Sequence, residues 1–199
     1  MEMNIGFFAS GGGTNVDAIL RNIRNEGLDA KAQVVISDHS KAGVFQVAQR
    51  YDVPAIFLGP KTLGDSYIET VLTTLQDHDV NFIVLAGYLG MIPQEIIAAY
   101  NNRIVNIHPA LLPNYGGKGM HGEYVHQAVI DAKETESGAT IHLVNEKYDE
   151  GRILAQVRVP VLTGDDAKSL ARRILFFEHA IYSATLRDIQ QGRINLDLL

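Results

Sequence analysis

The chain has 199 residues, 46% of them hydrophobic and 20% charged, a balance that supports one globular domain over 1–199 with a sizeable core and gives no reason to expect disorder. Its formal net charge of -6, with no run of Lys or Arg, argues against a nucleic-acid partner held through phosphates and favours small-molecule partners. Zero cysteines exclude disulfides, thiolate metal ligands and a cysteine nucleophile; with no leader ahead of Met3 and no apolar stretch long enough for a bilayer, no membrane association is expected, and the cytoplasm is the expected location.

Residues 4–9 read as a strand and 15–26 as an amphipathic helix. The same step recurs at 32–37 and 42–51, at 55–58 and 66–78, and at 81–86 and 94–100. Gly27, Gly59 and Gly64 punctuate these units, and Val53-Pro54 and Ile92-Pro93 mark boundaries that a helix does not cross. Right-handed crossovers wrap such units into an α/β fold: a Rossmann-like, mostly parallel twisted sheet with helices on both faces. Residues 103–107 read as a further strand. Pro109 and Pro113 then force the chain out of the sheet, so Asn106 and His108 stand at a strand's carboxyl end, where open α/β sheets bind their ligands. After a loop to Gly122 come a helix over 123–132 and strands over 139–144 and 153–159, joined through 145–152 in hairpin fashion. A long final helix over 166–190 carries Leu170, Ile174, Phe177, Ile181 and Ala184 at three- and four-residue steps as its expected buried face.

Four constellations have the chemistry for a site. Ser10-Gly11-Gly12-Gly13-Thr14-Asn15 lies between a strand and a helix; three adjacent glycines exceed the needs of a turn and let backbone N–H groups approach an anion at the helix N-terminus, so a phosphate is expected there. The loop lacks the lysine of a P-loop and the ribose acid of a dinucleotide fingerprint. Asn106 and His108, two apart on an extended chain, share a side; an amide N–H stabilises an oxyanion and an imidazole exchanges protons near neutrality. Asp149, in Tyr148-Asp149-Glu150-Gly151, reads alone as a turn aspartate and gains meaning only beside His108. Glu178 lies near the apolar stripe of the last helix, which suggests a cleft edge or partial burial. His121 and His126, five apart, do not share a helix face and lack carboxylate company, so no metal is expected. His142 reads equally as a cleft residue or a structural one, and Lys118 reads as solvated in preference to anion-binding.

Taken in order, these segments resemble the folate-dependent formyltransferases. The resemblance rests on the loop Ser10 to Asn15, Val84-Leu85-Ala86-Gly87-Tyr88, Asn106 to Pro113, Ser137-Gly138-Ala139-Thr140-Ile141-His142, Tyr148-Asp149-Glu150-Gly151 and Glu178-His179-Ala180-Ile181-Tyr182. It implies the formyltransferase fold and transfer of the formyl group of 10-formyltetrahydrofolate, as co-substrate, to the amine of glycinamide ribonucleotide in purine biosynthesis. It also implies catalysis by Asn106, His108 and Asp149, a substrate phosphate at Gly13, Thr14 and Asn15, and ribose hydroxyls at Glu178. A folate pocket is implied at Leu89, Gly90, Met91, Ile92, Asn145, Glu146, Lys147 and Tyr148 together with Asn106 and Asp149. Direct attack by the amine needs no covalent enzyme intermediate. Ala110 departs from the serine of many relatives, and Leu175 replaces a polar residue on the substrate side. Within the resemblance, a formyltetrahydrofolate hydrolase and a sugar-nucleotide N-formyltransferase are alternatives; outside it, a nucleotide-binding module without catalysis. A monomer or a weak homodimer is expected.

Overall fold

Short apolar runs that alternate between two faces build the sheet. The computed structural model describes residues 2–198. Five strands run parallel: β1 (Asn4–Phe8), β2 (Lys31–Ser37), β3 (Ala55–Phe57), β4 (Phe82–Leu85) and β5 (Ile104–His108). Then β6 (Glu136–Leu143) joins antiparallel to β5, and β7 (Ile153–Pro160) antiparallel to β6, giving the spatial order β3-β2-β1-β4-β5-β6-β7. The hairpin expected near the end of the chain is this β6–β7 pair, with β6 beginning earlier than its apolar run suggested.

Alternation decides which core each strand residue joins. Phe7, Val35, Phe82 and Val84 enter one cluster, with α1 (Thr14–Arg24), α2 (Val44–Arg50) and later α6 (Glu123–Asp131) and α7 (Ala167–Gln190). Phe8, Val34, Ile36 and Ile83 point the other way, into a cluster with α4 (Tyr67–Asp77) and α5 (Gln94–Ala99). Both faces of the central strands are therefore covered, and β4 is buried at all of its positions. Where a single helix was expected over 66–78, a one-turn α3 (Pro60–Leu63) and a 3-10 turn (Gly64–Ser66) come first, the chain reversing at Gly64 with φ 55°.

The buried face of the last helix differs from the expected one. Its buried stripe is Leu170, Ile174, Glu178, Tyr182, Leu186 and Ile189; Phe177 and Ile181 are only half-buried and Ala184 is exposed. Apolarity alone set the expected face, but α7 turns so that Glu178 and Tyr182 face inward, because each finds partners there. The Tyr182 hydroxyl donates to the Leu85 carbonyl at 2.7 Å and lies 3.1 Å from that of Val105, tying the helix to β4 and β5. We expect Tyr182→Phe to destabilise the protein by about 1–2 kcal/mol, or about 5 °C in Tm, by thermal unfolding. An unchanged Tm would mean that the two carbonyls do not depend on it. A capping box between Asp166 and Ser169 starts the helix, Asp166 accepting the Ser169 N–H at 2.7 Å.

Strand order reverses between β1 and β4, the crevice where α/β sheets bind ligands. Ser10 bridges its two rims. Its N–H donates to the Gly87 carbonyl at 3.0 Å, and its Oγ accepts the Leu89 N–H at 2.9 Å.

Candidate active site

The register of β5 against β6 assembles the polar centre. Asn106 faces His142, and His108 faces Thr140. Thr140 Oγ1 donates to the Ala110 carbonyl at 2.6 Å and accepts the Leu112 N–H at 3.1 Å, which fixes the segment leaving the strand. Ala110 itself is fully buried, in keeping with a small side chain at that position.

Two imidazoles and one carboxylate then meet. His142 Nδ1 lies 2.8 Å from the Leu143 carbonyl, so the proton sits there and Nε2 accepts from Asn106 Nδ2 at 3.1 Å. The second Nδ2 hydrogen of Asn106 is left for a ligand. His108 Nε2 donates to the Tyr115 carbonyl at 2.7 Å, leaving Nδ1 to face Asp149 Oδ2 at 3.5 Å. Asp149 Oδ1 stands 3.5 Å from His142 Nε2, and Oδ2 accepts the Gly117 N–H at 2.8 Å. Asp149 reaches this point from the β6–β7 loop in a left-handed conformation, φ 56°, which an aspartate tolerates better than most residues. Sequence position alone left His142 open between two roles. Its place opposite Asn106 follows from pairing between strands distant in the chain.

Burial lowers the His108 pKa, and the Asp149 charge and the Tyr115 carbonyl oppose that shift only in part. For Asp149, burial pulls upward, but the facing His142 and His108 rings and the Gly117 N–H outweigh it, and the carboxyl sits below its ordinary value.

These groups line a cleft of about 1060 Å³. Leu89, Gly90, Met91 and Ile92 form one stretch of its wall; Asn145, Lys147, Tyr148 and Asp149 form another. Leu89 and Met91 are about half exposed, an uncovered apolar surface inside a concave site. Glu146 is not in the lining: its carboxylate accepts from Gln94 Nε2 at 2.7 Å, so it anchors the loop from outside. Lys118 does reach the cleft, in the segment from Gly117 to Gly122, as do Lys168 and Arg172 of α7.

The glycine loop meets the cleft through Asn15 alone; Gly13 and Thr14 are not part of the lining. Gly13 adopts φ 75°, and a Cβ there would lie 2.6 Å from Val44 Cγ2 and 2.9 Å from Val44 Cα, so both conformation and space require glycine. Around Gly11 and Gly12 there is open room, and none of the N–H groups of Gly11, Gly12, Gly13 and Thr14 meets an acceptor among the described residues. Glu178, 8% exposed, accepts Asn15 Nδ2 at 2.7 Å; burial raises its pKa and the Asn15 bond opposes the rise. Asn15 Oδ1 is buried without a partner among the described residues. Among those residues no group of three or more His, Cys, Asp or Glu is arranged to hold a metal ion, and no helix is long and apolar enough to cross a membrane.

His126, whose spacing from His121 speaks only against a metal pair, is buried and also lines the cleft. Burial first, then the nearby His108 charge, hold its pKa down at about 4. The folded pKa lies below that of the unfolded chain, about 6.5, so the unfolded state binds more protons in acid. The stabilising contribution is complete above about pH 6.5 and is lost as pH falls toward 4. His108 acts with the same sign. We expect unfolding free energy in urea to fall by up to about 3 kcal/mol from His126 between pH 7 and 4, and His126→Gln to flatten that part of the profile. A flat wild-type profile would contradict the neutral, buried ring.

The model of the family described as formyl transferase matches residues 3–186. A chloroplastic phosphoribosylglycinamide formyltransferase of Vigna unguiculata is 42% identical over 192 residues, covering 94% of this chain and 61% of that protein. A second plant relative, from Arabidopsis thaliana, is 40% identical and is covered over 65% of its length, so the chain spans less than two thirds of either plant protein. The phosphoribosylglycinamide formyltransferase of Bacillus subtilis (strain 168) is 32% identical over 184 residues, 92% of each chain. Among solved structures, glycinamide ribonucleotide transformylase 1 from Symbiobacterium toebii superposes with a TM-score of 0.90 at 36% identity, covering 98% of this chain and 90% of that one. A family match over most of the length, together with these relatives, is decisive: the chain belongs to the formyl transferase family.

Proposed function

We propose that the chain transfers the formyl group of 10-formyltetrahydrofolate to the amine of glycinamide ribonucleotide, a step of purine biosynthesis. The observation that carries this reading is the convergence of Asn106, His108 and Asp149 on one cleft with an apolar wall, beside a glycine loop at a helix N-terminus. The relatives named above are called phosphoribosylglycinamide formyltransferase or glycinamide ribonucleotide transformylase, in agreement with it.

The residues take these roles. The acceptor's amine nitrogen forms a bond to the formyl carbon, and the carbonyl electrons move onto oxygen. The free Asn106 Nδ2 hydrogen and a proton on His108 Nδ1 stabilise that oxyanion. Burial opposes a charged His108, and the Asp149 carboxylate, 3.5 Å from Nδ1, offsets that opposition and makes the imidazolium attainable. As the intermediate collapses, the carbon–nitrogen bond to the folate breaks. The folate nitrogen takes up one proton while the former amine loses one, relayed through water beside Asp149. His142 acts by holding Asn106 in register. At one end the N–H groups of Gly11 to Thr14 and the partial positive charge of α1 suit the phosphate, with Asn15 and Glu178 toward the ribose. At the other, Leu89, Met91, Ile92 and Tyr148 cover the pterin ring, and Asn145 and Lys147 border it. Glu146 supports this wall through Gln94.

A chain without cysteine loses nothing in a reducing compartment, and the cytoplasm is the location this reading adopts; the two plant relatives are named chloroplastic. The partners proposed are the two small molecules, with the protein working as a monomer or weak homodimer.

The test is the absorbance change on release of tetrahydrofolate from the 10-formyl donor, with glycinamide ribonucleotide, with buffer alone and with an amino-sugar nucleotide. Turnover that depends on glycinamide ribonucleotide supports the reading. Donor breakdown in buffer alone would replace it with a hydrolase, and turnover only with the amino sugar would replace the acceptor.

A further inference from the structure

Three residues of α6 are buried, Val125, His126 and Val129, and only the middle one is polar. A valine or leucine at 126 would remove apolar surface from water at no polar cost. His126 Nδ1 has no hydrogen-bond partner among the described residues, and a buried imidazole nitrogen left unpaired is destabilising against an apolar side chain of similar size. The ring lines the cleft, so what it lacks in the protein it can gain from a ligand.

The surroundings indicate which nitrogen and which ligand. Nδ1 is enclosed, whereas Nε2 is not among the enclosed orphans, so Nε2 is the nitrogen that can meet the cleft. In a neutral ring one nitrogen carries hydrogen. A buried N–H without an acceptor costs more than a buried lone pair, so the proton sits on Nε2 and the ring presents a donor to the cleft. The ring remains neutral at physiological pH, its protonated form being disfavoured by burial and by the His108 charge. A neutral donor suits an uncharged carbonyl oxygen. Position supplies the rest: α6 packs on α7, which brings Arg172, Leu175 and Glu178 to the same lining. That is the acceptor side in the proposed formyl transfer, on which this inference rests.

We propose that His126 is a binding residue for the acceptor, its Nε2–H donating to the carbonyl oxygen of the carboxamide one carbon away from the reacting amine. The bond holds the acceptor by the group nearest the chemistry, so that the amine is presented to the formyl carbon beside His108. It also discriminates against phosphorylated riboses that lack the carboxamide.

Two measurements test this. In steady-state kinetics at saturating donor, His126→Phe is expected to raise the KM for glycinamide ribonucleotide about tenfold and to leave the donor KM unchanged. His126→Gln, which restores an N–H donor, is expected to recover most of the loss. In nitrogen-15 spectra of histidine-labelled wild type, the His126 Nε2 resonance is expected to move on addition of glycinamide ribonucleotide and to stay in place with ribose 5-phosphate. A folded His126→Phe with wild-type acceptor KM, equal rises for both substrates, or an Nε2 resonance indifferent to the acceptor would each overturn the assignment. Should His126→Phe fail to fold, the spectrum of the wild type decides alone. Absence of wild-type turnover with glycinamide ribonucleotide would overturn the proposed function and this inference with it; turnover with an indifferent His126 would overturn this inference only.

Discussion

Replacing His108 with alanine is expected to lower kcat by about a thousandfold, with both substrates still bound. The ring is buried, its Nε2–H is committed to the Tyr115 carbonyl, and only Nδ1 is available for the reaction. His142 is no substitute, since it commits Nδ1 to Leu143 and Nε2 to Asn106. Asp149→Asn is expected to have an effect of comparable size with a different signature. The asparagine carbonyl can still accept the Gly117 N–H, so the loop keeps its anchor, but the charge that opposes the lowering of the His108 pKa is gone. A smaller fraction of His108 is then protonated at neutral pH, and the lost rate should recover in part as pH is lowered. The pH dependence of kcat for the three proteins checks this. Turnover of His108→Ala within threefold of wild type would remove His108 from the mechanism, and a pH-independent loss in Asp149→Asn would remove the electrostatic role.

The second large effect is expected at Gly151, where β7 is entered. A Cβ there would fall 1.6 Å from the Leu143 carbonyl oxygen and 2.7 Å from its carbon, a conflict with backbone that no rotamer relieves. Either β6 or the returning loop must move. We expect Gly151→Ala to cost about 3 kcal/mol or more, a fall of about 10 °C in Tm. Because Asp149 stands two residues earlier, kcat should fall as well, through displacement of the carboxylate from His108. Gly11→Ala is the control for stability: its Cβ would meet nothing within 4 Å and its φ is not positive, so Tm should be unchanged. Equal melting temperatures for Gly151→Ala and wild type would contradict the close approach of the two backbones.

How much of the fold and site was legible in the chain depends on range. The alternation of apolar runs with amphipathic stretches is local, so the strands β1 to β5 and their helices could be read directly, with boundaries moved by a few residues. The glycine loop was legible because the left-handed backbone at Gly13, packed against Val44, is a demand that only glycine meets cheaply. Asn106 and His108 share a side for the same local reason, being two apart on one strand.

Other features depended on contacts between distant parts of the chain. His142 became part of the site only when β6 paired with β5 in a register that sets it against Asn106, and no local pattern specifies a register. The buried face of α7 was displaced from its apolar stripe because Glu178 and Tyr182 find partners in Asn15 and in the carbonyls of Leu85 and Val105. Glu146, expected on the cleft wall, turned to Gln94 instead. The distance in sequence between His126 and His121 bears on metal ligation, and says nothing of a lone ring facing the cleft.

The sequence by itself determined the α/β class, the strand–loop–helix units, the glycine loop and the placing of Asn106 and His108 at a strand's end, because each follows from the conformational preferences of a few neighbouring residues. Tertiary structure alone decided the distance from Asp149 to His108, the alignment of His142, the orientation of α7 and the exposure of His126 to the cleft. Those depend on strand register and on where polar side chains find partners, and such contacts join residues tens of positions apart.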